Sequence, residues 1–139
     1  MPVYPSSEVV YEVMNQLFGQ VMKTPQVLQP LQKTNKVIQI QLTDPTVVLT
    51  LDGRSNPPRY VPGPVKEPVP DFVIRMPTDV LHNVWLGKAS LTEAYFAGKI
   101  KLEKGSALSA LGLWNNLSGL FSEVGKIYPR ILKQRSLAA

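Results

Sequence analysis

The stretch AYFAGKIKL, residues 94–102, changes from a helical pattern to a strand pattern within nine residues. An aromatic pair ends an apolar helical turn, and Gly98 then permits a sharp change of chain direction. Ile100 and Leu102 begin a strand in which apolar residues alternate with lysines. The stretch has no residue pair typical of catalysis or metal binding, so we expect its apolar side chains to serve packing or an apolar ligand.

Three strands are predicted ahead of this stretch. In Lys36–Thr43, apolar residues alternate with glutamines, which is typical of a half-buried strand. Asp44-Pro45 is a turn signal, and the β-branched run Thr46–Asp52 follows it, so these two segments predict an antiparallel hairpin. Phe72–Met76 shows the same alternation and predicts the third strand.

Helical patterns are present at both ends of the chain and between the last two strands. An N-terminal helix is predicted from Ser6 or Ser7 to Thr24, where a proline follows. One short helix is predicted to end at Gly87, and a capping box at Ser90 opens another.

A single long helix is predicted from Ser106 to about Gln134, and Pro129 is expected to kink or end it. The hairpin excludes a purely parallel sheet. We therefore predict an α+β fold: a mostly antiparallel sheet of about five strands, with helices packed on one of its faces.

Residues 54–70 contain six prolines. This density excludes a central strand or helix there and predicts a long loop. The length of 139 residues suits one domain, which we assign to residues 1–139. A basic helical extension is predicted over about residues 124–139.

The basic extension carries most of the formal net charge of +5. Its cationic residues are Lys126, Arg130, Lys133 and Arg135, with no acid among them. A solvated helix face is one interpretation. Contact with an anionic membrane is the other, because Ile127, Ile131 and Leu132 are interspersed with the charges and predict an amphipathic surface. Nucleic-acid binding is disfavoured, because the basic residues are few and lack interleaved aromatics.

The chain has no cysteine and one histidine, His82. Disulfides, thiolate nucleophiles and cysteine-based metal sites are therefore excluded, and His82 is expected to be a surface or helix-capping residue. The acidic residues are scattered. We predict a protein that is not an enzyme and that uses no cofactor or metal. The sequence shows no signal-peptide pattern and no long apolar segment, so we expect it to be cytoplasmic.

The region from Asp71 to about Leu111 resembles the sterol carrier protein family of lipid-binding domains. Asp71–Met76 resembles that family's third strand, and Leu91–Phe96 resembles its short helix. Phe96–Leu102 resembles its aromatic, Gly-Lys and alternating-strand signature. Residues 106–113 lie where the family has its C-terminal ligand-lining helix.

The resemblance implies an apolar tunnel between the sheet and the C-terminal helix, which holds a fatty acyl chain, an acyl-CoA or a sterol-like lipid. Burial of methylenes, at about 0.8 kcal/mol each, supplies the driving force, so no strong polar anchor is required. The candidate lining residues are Phe72, Ile74, Met76, Leu81, Trp85, Tyr95, Phe96, Ile100, Leu102, Leu108, Leu111, Trp114, Leu117 and Phe121.

The same apolar residues also fit a filled core. In that alternative the protein is an interaction or scaffold module, and Trp114, Phe121 or Tyr128 anchors a partner or the second copy in a homodimer. Lys99 and Lys101 either face solvent or contact a ligand head group.

Overall fold

The computed structural model describes residues 3–137, which form a five-stranded sheet and six helices. The helices are α1 (Ser7–Val21), α2 (Pro25–Thr34), α3 (Thr78–Trp85), α4 (Leu91–Phe96), α5 (Ala107–Asn116) and α6 (Ser118–Gln134). The strands are β1 (Val37–Thr43), β2 (Val47–Asp52), β3 (Arg59–Pro62), β4 (Phe72–Pro77) and β5 (Lys101–Lys104).

The sheet has the strand order β3-β2-β1-β4-β5. The predicted hairpin is confirmed, because β1 and β2 pair antiparallel. The pairs β2–β3 and β4–β5 are also antiparallel, whereas β1 and β4 run parallel. The α+β prediction is confirmed, and the sheet is mixed.

The start of the parallel pair is held by Asp71, the residue before β4. The backbone N–H of Val37 donates to Asp71 Oδ2 at 2.8 Å, and the backbone N–H of Asp71 donates to the Val37 carbonyl at 2.8 Å. These two bonds align the first residues of β1 and β4, and so fix which side chains of the two strands share a face.

The proline-rich segment contains β3, which the sequence analysis did not predict. Proline is tolerated there because β3 lies at the edge of the sheet, where one side of the strand needs no partner. The strands β3 and β4 run in the same direction with β2 and β1 between them. The connection after β3 therefore has to cross the sheet. Val37 and Val73 are buried outside the main core, which indicates that the connection crosses the face away from the helices.

The main core lies between the helices and the other face of the sheet. Ile38, Leu51 and Met76 extend from three different strands into one cluster with buried residues of all the longer helices. The predicted packing of helices on one face is therefore confirmed. Serine side chains cap three of these helices: Ser6, Ser90 and Ser106 each accept a backbone N–H from three residues further on.

The long C-terminal helix that was predicted is two helices, which are separated at Leu117. Pro129 does not end the second of them, as one of the two expectations had it, because α6 continues to Gln134. Pro129 has no backbone N–H, so the carbonyl of Gly125 lacks its helical hydrogen bond. Gly125 is exposed, and water can satisfy this carbonyl instead.

Packing explains why α6 persists, and it corrects two predictions. Tyr128, Ile131 and Leu132 are fully buried in the core. Ile131 and Leu132 therefore cannot form an amphipathic membrane surface with the nearby lysines and arginines. For the same reason Tyr128 cannot anchor a protein partner.

Replacing Gly53 by alanine is expected to destabilise the fold. A Cβ atom there would lie 2.5 Å from the Leu31 carbonyl oxygen and 2.7 Å from that of Lys36, and backbone atoms cannot move aside cheaply. We expect the free energy of unfolding to fall by about 1–3 kcal/mol in urea denaturation. Gly19→Ala is the control, because nothing lies within 4 Å of its added Cβ in α1. It should raise stability by about 0.5–1 kcal/mol. An unchanged unfolding midpoint for Gly53→Ala would contradict this contact.

Candidate functional site

An apolar cavity of about 320 Å³ lies between the inner face of the sheet and the helices. Its walls come from β1, β2, β4 and β5 on one side and from α1, α3, α4, α5 and α6 on the other. The lining residues are Phe18, Ile38, Ile40, Leu51, Ile74, Met76, Leu81, Trp85, Leu91, Thr92, Tyr95, Phe96, Ile100, Leu102, Ala107, Ala110, Leu111, Leu113, Trp114, Leu117, Leu120, Phe121 and Val124.

The cavity has a buried end and an exposed end. Phe18, Leu81 and Trp85 at one end are buried among α1, α3 and the sheet. Phe96 and Leu111 at the other end are 76% and 47% exposed. The cavity therefore opens between α4 and α5, and we call this opening the mouth.

The chemistry of the wall is almost entirely that of hydrocarbon. No lining residue is charged, and the only hydroxyl groups are those of Thr92 and Tyr95. Trp114 on α5 packs against Phe121 on α6, with ring centroids 4.1 Å apart. Such a wall offers almost no hydrogen-bonding partner that could fix a polar group.

Most of the predicted lining residues meet at this cavity, and two do not. Phe72 is buried against Gly105, where an added Cβ would lie 2.5 Å from its ring, and it does not reach the cavity. Leu108 is 82% exposed on the outer side of α5. For these two residues the predicted position is wrong. Ligand binding by the others stays a prediction.

Eleven residues of the wall were not predicted from the sequence. Some lie on elements for which no lining residue was predicted, and the others lie close in sequence to predicted ones. They are Phe18, Ile38, Ile40, Leu51, Leu91, Thr92, Ala107, Ala110, Leu113, Leu120 and Val124. The alternation of Ile38 and Ile40 with glutamines did indicate one buried face of β1. Only the packing of α1 and the sheet shows that this face borders a cavity.

Behind the buried end lies a chain of polar side chains. The hydroxyls of Tyr4 and Tyr128 are 2.5 Å apart, and Nδ1 of His82 lies 2.6 Å from the Tyr128 hydroxyl. All three residues are buried, so the expectation that His82 lies at the surface or caps a helix is wrong. The Trp85 ring, which lines the cavity, packs edge-on against Tyr128 at 5.3 Å.

Burial governs the protonation of this network. Burial lowers the pKa of His82 below its usual value, opposed by the nearby Asp79 carboxylate. Burial also raises the pKa of Tyr4 to about 12 and raises that of Tyr128 further. All three groups are therefore neutral at pH 7. A neutral imidazole with its proton on Nε2 lets Tyr4 donate to Tyr128 and Tyr128 donate to His82, which satisfies each hydroxyl proton.

Residues 3–137 offer neither a metal-binding cluster nor a membrane-spanning helix. No cluster of histidine, aspartate and glutamate side chains there has the grouping needed to hold a metal ion. No helix in this part of the chain is both long and apolar enough to cross a bilayer.

Comparison with protein families gives one match. The model of the SCP-2 sterol transfer family matches residues 14–111, from α1 to the middle of α5. No curated protein sequence matches the chain.

Several solved structures share the fold at low sequence identity. Sterol carrier protein 2 from Yarrowia lipolytica, in its apo form, has a TM-score of 0.61 at 20% identity and covers 82% of this chain and 91% of its own. The sterol carrier protein domain 2 of Helicoverpa armigera has a TM-score of 0.63 at 16% identity, with 88% and 93% covered. A ubiquinone synthesis protein described as UbiJ-SCP2 has a TM-score of 0.58 at 14% identity, with 84% and 96% covered.

The buried histidine makes stability depend on pH. An unfolded chain binds a proton at His82 near pH 6.5, whereas the folded chain binds it only at lower pH. The unfolded state then holds more protons, so the free energy of unfolding falls as the pH drops through this window. We expect the urea midpoint to decrease from pH 7.5 to 5.5. The free energy of unfolding should fall by at most about 1.4 kcal/mol per pH unit.

His82→Asn is the matched variant, because its side-chain oxygen can replace Nδ1 as an acceptor without titrating. Its stability should change less over the same pH range. The chain has no other histidine, so a smaller slope in the variant would assign the pH dependence to His82. Equal slopes for the two proteins would show that His82 is not the group responsible.

Proposed function

We propose that this chain, which belongs to the SCP-2 sterol transfer family, binds one apolar lipid in its cavity and carries or sequesters it without catalysis. The single observation that supports this is the cavity itself. It is apolar, it is large enough to fall within the roughly 300–1,000 Å³ of small-molecule sites, and it opens to the surface at one end.

Transfer of hydrocarbon from water provides the affinity. Burying about a dozen methylenes contributes roughly 10 kcal/mol before the cost of association. The wall has no charged residue to pair with a carboxylate or phosphate. A charged head group therefore stays at the mouth, in contact with water, while the chain or ring system enters. Single-chain acyl lipids and flat sterol-like lipids both satisfy this condition.

The absence of catalysis is part of the proposal. The cavity wall has no histidine, carboxylate, lysine or serine that could act as a nucleophile or a general base. His82 is not part of the wall, and its Nδ1 is hydrogen-bonded to the Tyr128 hydroxyl. The alternative of a scaffold module with a filled core is less well supported, because the space between the helices and the sheet is not filled.

Delivery of a lipid requires contact with a membrane, and α6 offers only part of a contact surface. Lys126 pairs with Glu123, and Arg135 pairs with Glu12. Arg130 and Lys133 are exposed, and no described acid pairs with either of them. We propose that these side chains add electrostatic attraction to anionic lipid, without inserting apolar residues of α6.

Native mass spectrometry tests for the ligand directly. We expect the purified protein, or the protein after incubation with palmitic acid or cholesterol, to show one lipid per chain. The lipid released on denaturation identifies the class. A spectrum that shows only the free protein under all these conditions would contradict the carrier function.

Filling the cavity should weaken lipid binding while leaving the fold intact. Ala110 on α5 is half-buried in the wall near the mouth, so the ring of Ala110→Trp can occupy the cavity. We expect palmitate affinity to fall at least about ten-fold, as loss of two or more buried methylenes implies. Ala89→Trp is the control, because Ala89 is exposed and outside the wall. Equal palmitate binding by both variants would place the ligand elsewhere.

A further inference from the structure

A second apolar space lies on the outside of the protein, next to the buried end of the cavity. It is an open groove between α1 and the edge strand β3. Rings and aliphatic groups form most of its surface. Lys23 contributes its one charge, and because this side chain is exposed, its methylenes can line the groove while its amine stays hydrated. The lining residues are Asn15, Phe18, Gly19, Met22, Lys23, Tyr60 and Pro62.

Phe18 separates this groove from the cavity. Among residues 3–137 it alone lines both spaces, and its side chain is 1% exposed. Its ring meets the cavity residue Trp85 edge-on, with ring centroids 6.0 Å apart. The same ring stacks on the groove residue Tyr60, with centroids 4.6 Å apart and 14° between the ring planes. A single stacked pair of rings is therefore the partition between the two spaces.

The surfaces on either side of this partition are continuous. Tyr60 on β3 lies directly opposite Leu51 on β2, and Leu51 belongs to the cavity wall. Directly opposed residues share one face of a sheet, so the same face borders the cavity and then the groove. Met22 follows Phe18 by four residues and so lies on the same side of the helix. When the two rings move apart, both surfaces of the cavity extend into the groove.

The contacts that keep the partition closed are modest. The Tyr60 hydroxyl donates to Asn15 Oδ1 at 3.0 Å, in an exposed hydrogen bond. The strand β3 has four residues and is paired along one side only. A stacked ring pair and an exposed hydrogen bond together stabilise by about as much as the burial of two to four methylenes. A lipid chain that extends several methylenes past the buried end can therefore offset the cost of opening, whereas a shorter chain cannot.

Gly19 leaves room for such a chain. A Cβ atom added there would have no atom within 4 Å, so close packing does not require glycine at this position. Glycine inside a helix also lowers stability relative to alanine. Because Gly19 lines the groove, any longer side chain would occupy part of it. An unobstructed groove thus accounts for a residue that packing and helix stability both disfavour.

We propose that this groove is an extension of the lipid site, and that the end of a long acyl chain passes between Phe18 and Tyr60 to lie in it. The proposal rests on the proposed function and names its ligand class: single-chain lipids that are longer than the closed cavity holds. The head group stays at the mouth, the middle of the chain fills the cavity, and the terminal methylenes lie along α1. Long chains are favoured over short ones because only they gain contact area in the groove.

Binding of two fatty acids of different length tests this extension. The probes are dodecanoic acid and eicosanoic acid, which is longer by eight methylenes. We expect the unchanged protein to bind eicosanoic acid at least about ten-fold more tightly, as partial burial of the additional methylenes implies. The quantity compared between variants is the ratio of these two affinities, which cancels any general effect of a substitution on the cavity.

Two glycine-to-leucine variants form a matched pair. Gly19→Leu fills the groove from outside the cavity wall and should lower the ratio by about five-fold or more. Gly112→Leu is the control, because Gly112 is an exposed residue inside α5, has open space around an added Cβ, and lines neither space. It should keep the ratio of the unchanged protein. Equal ratios in the two variants would overturn the groove as part of the site.

The same measurements distinguish failure of the groove from failure of lipid binding. If dodecanoic acid binds the unchanged protein and Gly19→Leu leaves the ratio as it was, the groove proposal is wrong and the carrier function stands. If neither acid binds the unchanged protein, the carrier function is wrong and the groove proposal is wrong with it.

Photocrosslinking locates the end of the chain. Eicosanoic acid with a diazirine beside its terminal methyl group labels the residues nearest to that end, and peptide mass spectrometry identifies them. We expect label on Asn15, Met22 or Tyr60. The dodecanoic acid that carries the same group should label the cavity wall instead. Label from the longer probe that is confined to the cavity wall or to α4 and α5 would place its end outside the groove and overturn the proposal.

Discussion

The parallel pairing of β1 with β4 is the constraint on which the rest of the structure depends. Its register places Ile40 opposite Ile74 and Leu42 opposite Met76, so their side chains share the face that meets the helices. A slip of one residue would turn these apolar side chains to the other face. The reciprocal bonds between Val37 and Asp71 oppose such a slip. The parallel direction also requires a crossover, and because the proline-rich connection crosses one face, the other remains free for all six helices.

The helices differ in how many side chains they bury against that face, and this difference leaves a cavity with one closed end. At the closed end, Tyr4, Tyr128 and His82 join the N-terminus, α6 and α3 through buried hydrogen bonds. Such bonds are expensive to break without replacement, because each buried donor or acceptor would be left unsatisfied. At the other end, α4 and α5 each bury one side chain. The hydrogen-bonded end holds the helices in place around the cavity, and the weakly packed end leaves the cavity open.

An uncharged wall and an exposed apolar mouth are both consistent with binding of an apolar ligand. A cavity without polar anchors gains its affinity from buried area, so it accepts ligands by length and thickness more than by functional groups. The same property makes escape into water slow, since every methylene has to be rehydrated.

The sequence by itself determined the fold class and most of the elements, with β3 as an exception. The alternation in β1 and β4, the serine caps and the Gly98 turn are local signals, and they act through local backbone and burial preferences. The family resemblance led to about half of the cavity wall. The tertiary structure alone decided the direction of β1 against β4, the division of the C-terminal helix at Leu117, and the burial of His82. It also separated wall from surface at Leu108 and added Phe18 from a helix far away in sequence. These features depend on contacts between distant segments, because a residue's own periodicity tells which side of its element is apolar but not what that side meets.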